Sequence, residues 1–299
     1  MTKNKLHHRL FTSLGIEKPV FGIVQKLLFL YYDLKIRTTG KPLLLFQMGK
    51  VGSQTVERTL INLGLKRKIF HFHWLSPEML KFTLDKSEFL GRAYPGRDYW
   101  ESIYVKESIL PSLSTQGVDV ITLTREPIAR NLSAFFYAWG YWCPDLLEKF
   151  SDLNNHPEET QEITDRFVET FHHQRILDWF DKELAPNFGF DIYKEEFHPE
   201  KGYQIYRTPE LNLLIIRLED LNRCLQMALE DFFGVSYPDY KTKTKNQSQS
   251  REYNHLYKDF LNDANLPQEY VDFIYNSRYA RFFYTGSELN SFKKRWMKD

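Results

Sequence analysis

The stretch from Leu43 to Thr55, LLLFQMGKVGSQT, constrains this chain more than any other. Leu43 to Phe46 is a short, wholly apolar run, as expected of a strand buried on both faces of a parallel sheet. Gly49-Lys50-Val51-Gly52-Ser53-Gln54-Thr55 follows at once. The next segment places Val56, Leu60 and Leu63 on one helical face and stops at Gly64, a residue suited to a left-handed C-terminal cap. Strand, glycine loop and helix together make a phosphate-binding arrangement. Glycines let the backbone approach the ligand, amides at the helix start point toward it, and a lysine adds a full charge. The order is not that of a Walker A loop, in which Ser or Thr directly follows the lysine. Here Lys50 precedes Gly52 and Ser53.

Lys plus Arg number 40 and Asp plus Glu 39, for a formal net charge of +1. No global field therefore draws the chain to nucleic acid, and an anion site must be local. Cys143 and Cys224 are the only cysteines, too few for a disulfide framework or a zinc cluster, and a reducing cytoplasm is expected. Met1 to Lys18 lacks the order of a cleaved signal. Ile23, Leu27, Leu30 and Leu34 form a helical stripe flanked by Lys18, Lys26, Lys35 and Arg37. It is too short and interrupted to cross a bilayer. Length favours a helix packed on the domain, the alternative being an interfacial helix at the inner face of the membrane.

Farther on, Lys66 to His73 is extended, with His71 and His73 projecting from one side of a strand. Ser76 and Pro77 begin a helix, and Tyr99 to Leu110 reads as another, ending before Pro111. Val118 to Leu123 has the β-branched, apolar character of a central strand. Arg125, Glu126 and Pro127 follow, then a helix carrying Ser133. A guanidinium at a strand end and a hydroxyl eight residues later can meet on one phosphate. Glu126 beside such a site would repel the ligand unless it turns away or pairs with Arg130.

With both segments in hand, the chain resembles sulfotransferases that use 3'-phosphoadenosine 5'-phosphosulfate (PAPS). Lys50-x-Gly52-Ser53-x-Thr55 resembles their 5'-phosphosulfate loop, and Arg125-x-Pro127 with Ser133 their 3'-phosphate segment. Leu213 to Leu221 resembles their later strand and Glu-Asp-Leu turn. Asp178 to Asp181, Phe188 to Tyr193 and the aromatic tail from Tyr275 to Tyr284 are similar to the bacterial sulfotransferase-like family of capsular polysaccharide synthesis proteins. The resemblance spans about residues 41 to 295 and is weakest over 151 to 175.

It implies an α/β fold: a P-loop-like parallel sheet flanked by helices, with a C-terminal helical annex. The expected organisation is an N-terminal helix within 1–40 and a sulfotransferase-like domain over 41–299. Within that domain lie a helical insert at about 140–185, covering the sheet or forming an acceptor lid, and an annex at about 250–299. The implied reaction moves a sulfuryl group from PAPS to a hydroxyl of a carbohydrate acceptor, without a metal. Lys50, Gly52, Ser53, Gln54 and Thr55 would hold the 5' end, Arg125 and Ser133 the 3'-phosphate, and Lys245 a further phosphate contact. The base that takes the acceptor's proton is His73, with His71, Glu101 or Glu107 as alternatives. A P-loop nucleotide kinase and a non-catalytic glycan-binding protein on the same fold are the competing readings.

Overall fold

A computed structural model describes residues 17–89, 95–149, 157–237 and 254–297. Its centre is a five-stranded sheet in the order β2-β1-β3-β5-β4, formed by β1 (Leu43–Phe46), β2 (Ile69–Phe72), β3 (Val118–Thr124), β4 (Tyr203–Arg207) and β5 (Leu211–Arg217). The pairs β1–β2, β1–β3 and β3–β5 are parallel, whereas β4 runs antiparallel to β5. The architecture is therefore the expected α/β one, with a mostly parallel sheet flanked by helices. Leu43 to Phe46 are all fully buried, because helices cover both faces of a parallel sheet. The antiparallel edge β4, which the sequence reading did not single out, ends the sheet with a polar strand.

The parallel connections send helices from the carboxyl ends of the strands. β1 leads to α2 (Ser53–Asn62). β2 leads to α3 (Pro77–Phe89) and α4 (Arg97–Tyr104), and β3 to α5 (Pro127–Tyr137). The helix expected over Tyr99 to Leu110 begins at Arg97 and changes pitch at Val105, passing through a wide π-type turn before Leu110–Ser112. After α6 (Pro157–Thr170), the residues Phe167, Phe171, Ile176, Trp179 and Phe180 are buried in the core. Trp179 lies against Phe46 of β1, so this segment covers the sheet. β5 leads through Leu218–Asp220 into α7 (Leu221–Phe233), which ends on left-handed Gly234.

The C-terminal annex comprises α8 (Asn254–Asp263), α9 (Gln268–Tyr275), α10 (Arg278–Phe283) and α11 (Gly286–Trp296). Tyr275, Tyr279, Tyr284 and Trp296 are buried at its contact with the domain. At the other end of the chain, α1 (Glu17–Thr39) packs through Tyr32, Phe29 and Leu28, with Tyr32 and Phe29 both against Tyr104. The stripe singled out in the sequence faces away. The helix thus packs on the domain as expected, but through another face: Ile23, Leu27, Leu30 and Leu34 are 58%, 62%, 57% and 52% exposed. Among the described residues, no helix is long and apolar enough to cross a membrane.

Candidate functional site

β1 and β3 lie side by side, so the loops leaving their carboxyl ends are neighbours at the crevice where open α/β sheets hold ligands. In the β1 loop Lys50 has φ 72° and Gly52 φ 81°, two left-handed residues in three positions that fold the backbone into a tight bend. A Cβ on Gly52 would lie 2.5 Å from Leu218 Cδ1 on a backbone already in the left-handed region, so a side chain there would be strained and would displace Leu218. α2 then begins at buried Ser53, and Thr55 N–H returns to Gly52 O at 3.0 Å. Gln54 is exposed on the first turn.

The β3 segment closes onto this loop. Arg125 Nη1 donates to Lys50 O at 3.0 Å, and Arg130 Nε donates to Gly49 O at 2.9 Å. The Lys50 ammonium sits 4.5 Å from the centroid of the Tyr137 ring on α5. Arg130, Ser133 and Tyr137 stand three and four residues apart and share a face of α5. The face that carries Ser133 is thus the one turned to the loop. Lys50 and Arg125, read from separate segments, are brought together, Ser133 lies on the helical face of α5 that carries Arg130 and Tyr137, and Lys245 lies outside the described residues.

Glu126 does not repel an anion there. Its carboxylate turns back to cap α5, accepting from Ile128 N at 2.7 Å and Ala129 N at 2.8 Å, and from the Tyr275 hydroxyl at 2.7 Å. Burial raises its pKa even so. Its own N–H donates to Glu219 Oε1 at 2.8 Å, which ties the Glu-Asp-Leu turn after β5 to the exit of β3. The annex completes this support: the Tyr279 hydroxyl donates to Arg125 O at 2.9 Å and accepts from Arg125 N at 3.2 Å.

Sequence reasoning missed Arg130 and Arg175 as site residues. Arg130 is buried, and burial together with the guanidinium groups of Arg125 and Arg175 pulls its pKa down to about 10, against an opposing effect of Tyr279. Arg175 stacks 4.1 Å from the centroid of Phe82. Among the described residues no carboxylate forms an ion pair with Arg125, Arg130 or Arg175. Arg130 alone of the three is buried, and a buried cation without an acid is costly unless a ligand supplies the negative charge. No motif marks this cluster, because it is defined by what fails to surround it.

The two histidines of β2 share a side, with ring centroids 5.7 Å apart, but differ in surroundings. His73 Nδ1 lies 2.9 Å from Gln47 O and 3.4 Å from Gln47 Nε2; donation to the nearer carbonyl leaves the neutral ring with an unprotonated Nε2. That nitrogen borders Gly49, 3.8 Å from the place a Cβ would occupy. Burial, then His71 and Arg130, pull His73 down to about 4, against Asp98 and the Gln47 carbonyl. His71 has both nitrogens engaged, Nδ1 with Glu57 Oε2 at 2.7 Å and Nε2 with Ser53 Oγ at 2.9 Å.

The alternative bases are placed elsewhere. Glu101 is buried, with Oε1 on Lys68 at 2.5 Å and Arg97 at 3.0 Å and Oε2 on His71 N at 2.6 Å. Glu107 is exposed beside Gln25 of α1. Past β2, Trp179 Nε1 donates to His73 O at 3.1 Å, and Glu183 receives Leu75 N at 2.6 Å and Ser76 N at 2.9 Å. The segment after α6 therefore holds the turn that follows β2 in place.

Residues 152–285 match the family model described as "Putative capsular polysaccharide synthesis protein". No curated protein and no solved structure gives a match. The matched stretch begins where the sulfotransferase resemblance is weakest. It contains Trp179, Glu183, Glu219, Tyr275 and Tyr279, the residues that brace the two loops, whereas the loops themselves precede it. It links the chain's C-terminal half to a capsular polysaccharide synthesis family.

Proposed function

We propose that this chain is a sulfotransferase that moves a sulfuryl group from PAPS to a hydroxyl of a carbohydrate acceptor, in capsular or exopolysaccharide synthesis. The observation that carries the proposal is the meeting of the β1 loop with Arg125 and Arg130, whose guanidinium groups donate to the loop carbonyls and form no ion pair with a carboxylate among the described residues. A donor with a phosphate at one end and a phosphosulfate at the other supplies the missing charge. In this scheme Lys50 and the donors of Gly52, Ser53, Gln54 and Thr55 hold the 5' end, where charge develops on the leaving phosphate. Arg125 and Ser133 take the 3'-phosphate, with Lys245 as a further contact.

The acceptor hydroxyl oxygen forms the new bond to sulfur as the bond from sulfur to the phosphate oxygen breaks. The hydroxyl proton passes to His73 Nε2, and adenosine 3',5'-bisphosphate leaves with the electron pair. His73 is a neutral but weak base at about 4. A highly charged anion beside it raises that value toward the range in which general bases work well. No metal takes part.

Calorimetry with adenosine 3',5'-bisphosphate against ATP, with and without magnesium, separates this function from a kinase. Preference for the 3'-phosphorylated nucleotide regardless of magnesium is the expected result, and a magnesium-dependent preference for ATP would overturn it. Transfer of labelled sulfate from PAPS to a glycan panel separates it from a non-catalytic binder. His73→Gln should abolish transfer while keeping nucleotide binding. The exposed stripe of α1, flanked by Lys26, Lys35 and Arg37, supports peripheral attachment at the inner membrane face. Co-sedimentation with anionic vesicles, lost on Leu27→Glu, tests that placement.

A further inference from the structure

The hydroxyl of Ser53 has two claims on it. As a loop donor it must point its hydrogen at the anion, yet it already sits 2.9 Å from His71 Nε2. Which group donates is set from the far side of the ring. Glu57 is ionised: burial raises its pKa, but the hydrogen bonds and charges of His71 and Arg97 outweigh this and hold it at about 2. An ionised carboxylate only accepts, so His71 Nδ1, 2.7 Å from Glu57 Oε2, carries the hydrogen. If the ring is neutral, Nε2 is bare and takes the Ser53 hydrogen, leaving serine lone pairs toward the loop. If the ring is an imidazolium, Nε2 donates to Ser53 Oγ and the hydroxyl hydrogen is released to a ligand.

Resting on the assignment of the loop as a nucleotide anion site, we infer that His71 is a positioning residue whose protonation switches Ser53 from repelling to donating, so that the donor binds together with one proton. Glu57 and Ser53 face the ring from α2. From α4, Glu101 accepts from His71 N and Arg97 bridges Glu57 and Glu101. From either end of β2, Lys68 reaches Glu101 and His73 stands beside the ring. Buried Ser53 is thus linked through the imidazole to an acid whose charge is fixed.

The test is calorimetric binding of adenosine 3',5'-bisphosphate at pH 8, where its phosphates are ionised, in two buffers of different ionisation heat. About one proton taken up per nucleotide is expected, with affinity falling up to about tenfold per pH unit between pH 7 and 9. Ser53→Ala and His71→Gln should each bind with no uptake and a flat pH profile. In the unsubstituted protein, nitrogen NMR should show His71 passing from the Nδ1–H tautomer to the doubly protonated form on nucleotide addition at pH 8. Binding without proton uptake, or uptake that persists in Ser53→Ala, overturns the switch and leaves the proposed function standing. Absence of binding between pH 6 and 9 overturns both.

Discussion

Two clusters of cations flank the sheet, and they are built on opposite principles. Beside β2, Lys68 and Arg97 are interleaved with Glu57 and Glu101, and each charge meets its opposite within 3.0 Å. Beyond β3, Arg125 and Arg130 donate to the carbonyls of Lys50 and Gly49, and Arg175 lies on a phenylalanine ring. The first cluster is complete as it stands. In the second, no carboxylate among the described residues stands within ion-pair distance of these guanidinium groups, Glu78 acting on Arg175 only from farther off, and in the proposed function an anion supplies the balance.

Removing one member should therefore do different things in the two clusters. Glu101→Gln leaves Lys68, whose pKa burial already lowers, without its anion. We expect a loss of about 3 kcal/mol in unfolding free energy, read by urea denaturation, with a much smaller change in nucleotide affinity. Arg130→Met takes away a buried cation that no acid balances. Stability should change by less than about 1 kcal/mol, because relief of the desolvation cost offsets the two lost hydrogen bonds. Affinity for adenosine 3',5'-bisphosphate should fall about a hundredfold. The reverse pattern, unfolding with unchanged affinity, would make Arg130 a structural residue and erase the contrast between the clusters.

Acid sharpens the comparison from between the clusters. His73 and His173 are both held at about 4, in each case chiefly by burial. Their ordinary value is 6.5, so between pH 6.5 and 4 the unfolded chain binds protons that the folded one declines. Stability is thus fully present above 6.5 and falls as the pH drops through that window, by about 2 kcal/mol for each histidine after allowance for partial exposure. Urea midpoints at pH 7.5 and 4.5 measure this. His73→Gln should remove its share of the difference, and nucleotide should protect the remainder.

The parts of the molecule that could be read in advance are those whose meaning is local. Leu43–Phe46 and Val118–Leu123 declare themselves as strands because a strand covered on both faces needs an apolar side chain at every position. The Gly49–Thr55 loop is legible for the same reason: its glycine and helix start lie within a few residues. Tyr203–Arg207 escapes notice because an edge strand alternates with polar residues and has no such run. Periodicity found the apolar stripe of α1 but not the direction in which it faces, since spacing fixes a face and not its partner. Glu126 looked hostile to a phosphate because adjacency in sequence does not reveal that the carboxylate caps its own helix. Arg130 and Arg175 stayed hidden because an unmatched charge is a property of the surroundings, which no short window contains.

The smallest expected effect asks whether the unmatched cluster is held in place or merely happens to lie there. Tyr279 is fully buried on the annex, about 150 residues along the chain from Arg125, and its hydroxyl bonds both the N–H and the C=O of that residue. Tyr279→Phe keeps the ring and its packing on Phe180 and Phe283 but removes both bonds. Two neutral hydrogen bonds of this kind are worth about 1 kcal/mol each at most, and water reaching the exit of β3 returns part of that. A loss of about 1 kcal/mol in stability is expected, with affinity for adenosine 3',5'-bisphosphate down by three- to tenfold, since a guanidinium on a looser backbone meets its phosphate less often. If affinity falls while Tyr284→Phe, which loosens Glu219 instead, leaves it unchanged, the annex aims Arg125 directly. If both variants weaken binding alike, the annex acts by holding the sheet edge as a whole, and the cluster depends on the fold rather than on one tyrosine.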